Sequence, residues 1–217
     1  MPRIALIHAL THSVSPINDT MAREWPEATR MNLLDDSLSA DLAASTRGLD
    51  AAMHQRFQDL ADYAVGTGAE AILFTCSAFG PCIEAVARHY AHLPVLKPNE
   101  AMVADAVMAG GPIGLIATFG PTLASMPPEF PDAVELHCAL AEGALDALNR
   151  GDVQTHDALI VEQARRLAAA GCNTIALAQF SMARARNACE QVTGKRVLTT
   201  VDSAVSQLKR RLSGSGA

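Results

Sequence analysis

Aromatic side chains are scarce in this chain. Phe, Trp and Tyr make up 4% of its 217 residues, while 49% are hydrophobic. A core so built relies on aliphatic residues and alanines, which suits helices packed closely on a sheet. Basic runs are also absent. The net charge is −6 and the longest run of cations is Lys209–Arg210–Arg211, which argues against a nucleic-acid partner. No apolar stretch approaches the roughly 18–20 residues that would span a bilayer, so no membrane partner is expected. The five cysteines are odd in number and contain no CxxC pair, the pattern of a reduced, cytoplasmic chain. The opening MPRIALIHAL has no small-residue cleavage site after it and reads as a first buried strand. The seven histidines join no carboxylate cluster, so no metal is expected. No GxGxxG or P-loop occurs. AGGPIG (109–114) leads into a strand rather than out of one, the wrong order for a dinucleotide loop. No cofactor is therefore expected.

What is present is alternation. Apolar runs predict strands at 3–8, 30–34, 70–75, 93–96, 113–117, 133–137, 173–178 and 196–199. Several are apolar on both faces, as parallel strands covered by helices are. Between them lie helical stretches. Residues 49–65 carry Leu49, Met53, Phe57, Leu60, Ala61 and Ala64 on one face, and Gly66 and Gly68 end the helix. Residues 155–170 form another, with Thr155 as the expected N-cap and Gly171 at its end. This order predicts a doubly wound α/β fold. The tail RLSGSGA (211–217) is expected to be disordered.

The chain also repeats itself. GAEAILFTCSAF (68–79) matches GCNTIALAQFSM (171–182), PVLKPNEAMV (94–103) matches RVLTTVDSAV (196–205), and IALIHAL (4–10) matches IGLIATF (113–119), with offsets of 103, 102 and 109. Three matches in one order predict two pseudo-symmetric, flavodoxin- or Rossmann-like halves with parallel sheets and an active site in the cleft between them. The expected boundaries are 1–97 plus 203–217 for the first half and 98–202 for the second.

Ligands on such sheets bind at the carboxyl ends of strands. FTCSAFG (74–80) lies at one such end. Cys76 could be a packed thiol, but its position and the flanking hydroxyls of Thr75 and Ser77 make it the candidate catalytic group. The following helix is expected to favour its thiolate. The repeat aligns Cys76 with Gln179, near Ser181. Thr118 and Phe119 follow the strand 113–117, and His8 ends the strand 3–8; His12 is a weaker candidate in the same loop. Asp36 and Ser37 follow the strand 30–34, as a helix cap or as pocket wall. A small pocket rimmed by hydroxyls and helix N-termini suits a carboxylate. Cys82, Cys138, Cys172 and Cys189 read as packing residues. Lys97 and Glu100 read as a hinge and helix start.

The strand–Cys–Ser pattern, the segment IGLIAT-F-x-x-T-x-x-S (113–125) and the two halves together resemble the aspartate/glutamate racemase superfamily. Glutamate, aspartate and hydantoin racemases, maleate isomerase and arylmalonate decarboxylase belong to it. The resemblance implies a cofactor-independent enzyme acting on a small carboxylate, and a homodimer. In the racemases of this family two cysteines face each other across the substrate α-carbon. Cys76 matches the first; Gln179 stands where the second would be. Thr118 matches the family's carboxylate-binding threonine. The Asp-Ser pair of the amino-acid racemases is replaced by the loop HALTHSVSP (8–16). Isomerisation or racemisation by one thiol is the leading expectation. Decarboxylation of the arylmalonate type is the alternative, and a degenerate carboxylate-binding protein is a third reading.

Overall fold

The computed structural model describes residues 1–213. The chain runs β1 (Arg3–His8), α1 (Val14–Glu24), β2 (Thr29–Leu34), α2 (Ser37–Ala44), α3 (Ala51–Gly66), β3 (Ala71–Phe74), α4 (Gly80–His89) and β4 (Val95–Leu96). It continues α5 (Glu100–Ala109), β5 (Ile113–Ala117), α6 (Gly120–Ser125), β6 (Leu136–Leu140), α7 (Ala144–Asn149), α8 (Val153–Ala169), β7 (Thr174–Leu177), α9 (Arg186–Thr193), β8 (Arg196–Thr199) and α10 (Thr200–Ser213). Arg211–Ser213 belong to α10, so the expected disorder does not begin at Arg211. The rest of that expectation, 214–217, lies outside the described residues.

Two compact units result: residues 1–98 with those from Ala204 onward, and Asn99–Ser203. Each holds one four-stranded parallel sheet. The orders are β2-β1-β3-β4 and β6-β5-β7-β8. The two orders correspond strand for strand, and each pair of matching sequence segments occupies equivalent places. The repeat in the sequence is therefore a repeat of topology.

The sheets are buried because their central strands are apolar throughout. All residues of β3, β5 and β7 are buried. In the first unit Ala5, Ile7, Ile72 and Phe74 pack with Phe57 and Ala61 of α3 and Ile83 and Val86 of α4. In the second, Ile116, Ile175 and Leu177 pack with Ile160 and Ala164 of α8, while Leu115, Ala176 and Ala178 meet Met102 and Ala106 of α5. Gly114 lets α8 approach the sheet: a Cβ there would lie 2.9 Å from a Leu167 methyl.

Two local expectations are corrected. The sixth strand is 136–140 rather than 133–137, because pairing to β5 sets Leu136 opposite Ile113. Asp152, not Thr155, caps α8, its carboxylate accepting the Thr155 N–H at 3.1 Å. Asp50 caps α3 in the same way, accepting from Met53.

Candidate active site

Cys76 follows β3 in extended conformation (φ −121°, ψ 123°) and opens a short 3-10 turn, Ser77–Phe79, ahead of α4. Gln179 follows β7 in the same way (φ −133°, ψ 147°) and opens the turn Phe180–Ala185. The strand ends are anchored alike. Thr75 N–H donates to Ile7 O at 3.0 Å and Ala178 N–H to Ile116 O at 2.9 Å. The extended residue after each strand thus projects beyond its sheet, where a parallel sheet presents ligand-binding groups.

The backbone of Ala78 and the hydroxyl of Ser39 on α2 favour the thiolate of Cys76. It shares a crevice with His8, Ala9, Leu38, Phe57 and Phe74 that is too tight to admit a water. Burial therefore pushes the thiol up from its ordinary value, and these two groups only oppose that effect. This corrects the expectation of a favoured thiolate: desolvation outweighs the helix N-terminus, and Cys76 rests protonated. Cys82 and Cys189 are fully buried and pushed up to about 11, chiefly by burial, as packing thiols are. Cys172 is also buried, whereas Cys138 is exposed on β6 and is not the packing residue expected.

His8 is fully buried. Its Nε2 lies 3.0 Å from Asn32 Oδ1, an acceptor, so Nε2 carries the proton. Its Nδ1 lies 2.9 Å from Ser13 Oγ and 3.0 Å from Thr75 Oγ1. Ser13 gives its own proton to Leu10 O at 2.7 Å. The Thr75 hydroxyl lies between His8 Nδ1 and Ile7 O, the latter accepting at 3.4 Å, so the hydroxyl expected to face a ligand is held inside the first unit. Burial, only partly offset by Asn32, lowers the His8 pKa from its ordinary 6.5. The linkage follows: the unfolded chain takes up a proton near pH 6.5 where the folded chain does not. Stability is therefore full above that pH and falls below it, by at most about 1.4 kcal/mol per pH unit. A His8→Asn variant should show a shallower fall in melting temperature between about pH 7.5 and about pH 5.5. Equal slopes in the two proteins would refute this role for His8.

Asp36 and Ser37 are both exposed. Asp36 stands at the N-cap of α2 with no side-chain capping bond. Ser37 donates to Asp35 Oδ1 at 2.6 Å and accepts from Arg56 at 2.7 Å. Arg56 also pairs with Asp35 and Asp41, so this cluster ties the start and the middle of α2 to α3. Burial raises Asp35, but Ser37 and Arg56 together outweigh it and hold its carboxyl below the usual range. Ser77 is half-buried.

In the second unit Thr118 is buried, and both its N–H (2.6 Å) and its hydroxyl (3.0 Å) donate to Gln179 Oε1. The structure thus brings these two candidates together. Phe119 is 36% exposed at the start of α6, and Ser181 is half-buried. His12 sits half-buried in the turn Thr11–Ser13. Lys97 pairs with Glu84, and Glu100 begins α5. Ser13, Asn32 and Ser39 are the participants that sequence reasoning missed. Each acts on a residue distant in the chain, and no local pattern marks it. Among the described residues no three His, Cys, Asp or Glu side chains gather to hold a metal ion, and no helix is long and apolar enough to cross a membrane.

The family model for Asp/Glu/hydantoin racemase matches residues 11–208. The chain belongs to that family. As a racemase-family member it carries the family's fold throughout. It is similar to a glutamate racemase from Bacillus anthracis (TM-score 0.74, 12% identity, 99% of this chain and 83% of that one). It is similar also to an allantoin racemase from Klebsiella pneumoniae (0.71, 17%, 99% and 89%) and an aspartate racemase from Picrophilus torridus (0.73, 9%, 97% and 94%). No curated protein matches it by sequence. At identities this low the solved structures bear on fold alone.

Proposed function

We propose that this racemase-family protein is a cofactor-independent isomerase that moves a proton at the carbon next to a carbonyl of a small carboxylate, with Cys76 as its one thiol acid/base. The observation that supports this is the setting of Cys76. It stands beyond β3, beside His8 in a tight crevice, with Ala78 and Ser39 as groups that favour its thiolate. Those donors stabilise a thiolate once substrate has drawn off the proton. Gln179 cannot share the task. An amide neither gives nor takes a proton near neutral pH, and its Oε1 already accepts two bonds from Thr118. Its Nε2–H₂ group remains to bind a carboxylate or the oxygen of an enediolate, where donors act most strongly on developing charge.

Two of these features favour a second reading. A resting protonated thiol is ready to donate, and there is one such thiol rather than two. Decarboxylation, in which CO₂ leaves and Cys76 protonates the resulting carbanion on one face, uses both.

Incubation in D₂O with amino acids, hydroxy acids, aryl- and alkylmalonates, maleate and hydantoins separates the readings. Deuterium at the α-carbon with isomer conversion is the expected result. Loss of CO₂ with single-sided deuteration would replace the isomerase by the lyase. Binding with no chemical change in any compound would reduce the protein to a carboxylate binder.

A further inference from the structure

The two helices that wall the Cys76 crevice are held very differently. α3 is anchored by packing. Met53, Phe57, Ala61 and Ala64 are buried along it, and the Phe57 ring packs on Phe74 and Phe79. α2 is held mostly by polar groups. Leu38 is its buried side chain, and Leu38 is itself a wall of the crevice. Leu42, one turn on, is only partly buried against the same core. The rest of the fastening is a hydroxyl and one guanidinium. Ser39 Oγ donates to Ala9 O at 3.2 Å. Arg56, the residue before Phe57, donates to Ser37 Oγ at 2.7 Å and to Asp41 Oδ2 at 2.6 Å, and pairs with Asp35 just ahead of α2.

The crevice is too tight to admit a water, so no carboxylate enters it while α2 stays in place. Behind α2 there is room. A cavity of about 400 Å³ lies between Asp41 and Ala44 of α2, the loop 45–50, and Met53 and Arg56 of α3. The loop contains Gly48 at φ +62°, a backbone state in which glycine is at ease. We propose that α2 is a movable wall of the Cys76 crevice, latched by Arg56. Release of Arg56 from Asp35, Ser37 and Asp41 lets α2 shift toward the cavity, and Leu38 withdraws from beside Cys76. No covalent bond changes. Ion pairs at a partly exposed site hold such a wall without locking it, since each contributes little in water. The planar fork of arginine suits the task, because one side chain bridges two carboxylates six positions apart. α3 stays fixed through its rings, so the motion is confined to α2.

The inference rests on the reading of Cys76 as the acid/base, but its test reads access rather than turnover. The rate at which iodoacetamide alkylates Cys76 would be followed at one fixed pH by peptide mass spectrometry. Cys82, fully buried in the same core, is the internal reference for general loosening. Arg56→Gln should speed alkylation of Cys76 by roughly three- to tenfold and leave Cys82 unreactive. The sign is diagnostic. Loss of a cation, with Asp35 and Asp41 left unpaired, disfavours a thiolate and would slow the reaction if nothing opened. Arg56→Lys, which keeps the charge without the fork, should fall between wild type and Arg56→Gln. Added salt should speed the wild-type reaction and leave Arg56→Gln unchanged. An unchanged or slower rate in Arg56→Gln, or a faster one in which Cys82 reacts in step, overturns the proposal. A wild-type rate indifferent to salt overturns it without any variant. Full activity in Cys76→Ala would instead sink the proposed function while leaving the alkylation result to stand.

Discussion

Cys76→Ala should lower turnover of whichever carboxylate exchanges deuterium by roughly 10²–10⁴-fold, the usual contribution of a positioned acid/base. KM should change little, because the small sulfur supplies proton transfer more than binding. Cys76→Ser should be nearly as impaired, since a hydroxyl is a far weaker acid than a thiol and its alkoxide is not formed near neutral pH. The pH profile should show activity in wild type rising as pH climbs toward the elevated thiol pKa, if deprotonation of free enzyme limits the rate. The raised direction follows from the crevice, where burial outweighs the donors Ala78 and Ser39. Steady-state kinetics of the three proteins check this. Activity within a few-fold of wild type in Cys76→Ala would remove the thiol from the mechanism.

Phe57→Ala should cost about 3–5 kcal/mol of stability, the range for truncating a buried aromatic side chain. Phe57 is 2% exposed, and its ring lies 5.3 Å from that of Phe74 and 4.9 Å from that of Phe79. These rings join α3 to β3 and to the turn after Cys76, in a chain with few aromatics to spare. The same side chain walls the crevice of Cys76. Its removal opens space beside the sulfur, so Cys76 alkylation should quicken as stability falls. Urea unfolding measures the first effect and peptide-resolved alkylation the second. A loss under about 1 kcal/mol would mean that the site collapses onto the missing ring without a cavity.

Much of the architecture was legible because it depends on local apolar pattern. β1, β5 and β8 begin and end where their apolar runs do. The bounds of the sixth strand are not legible because it is an edge strand, half-exposed along its length, and pairing with β5 rather than apolarity sets them. Thr155 reads as a cap because caps are hydroxyl or carboxyl residues, but Asp152, three residues earlier, fills that position through its own carboxylate.

Read alone, the amino-acid order determined that two similar parallel α/β units form, that Cys76 and Gln179 occupy equivalent strand ends, and that the chain resembles the racemase family. Burial periodicity and an internal repeat carry that information along the chain. The chemical state of those residues was decided only by tertiary structure. His8 meets Thr75 across 67 positions and Thr118 meets Gln179 across 61. Leu38 of α2 and Phe57 of α3 wall the crevice of Cys76, which follows β3. A pKa or a hydrogen bond is set by whatever lies within a few ångströms, and folding fills that distance with residues remote in sequence.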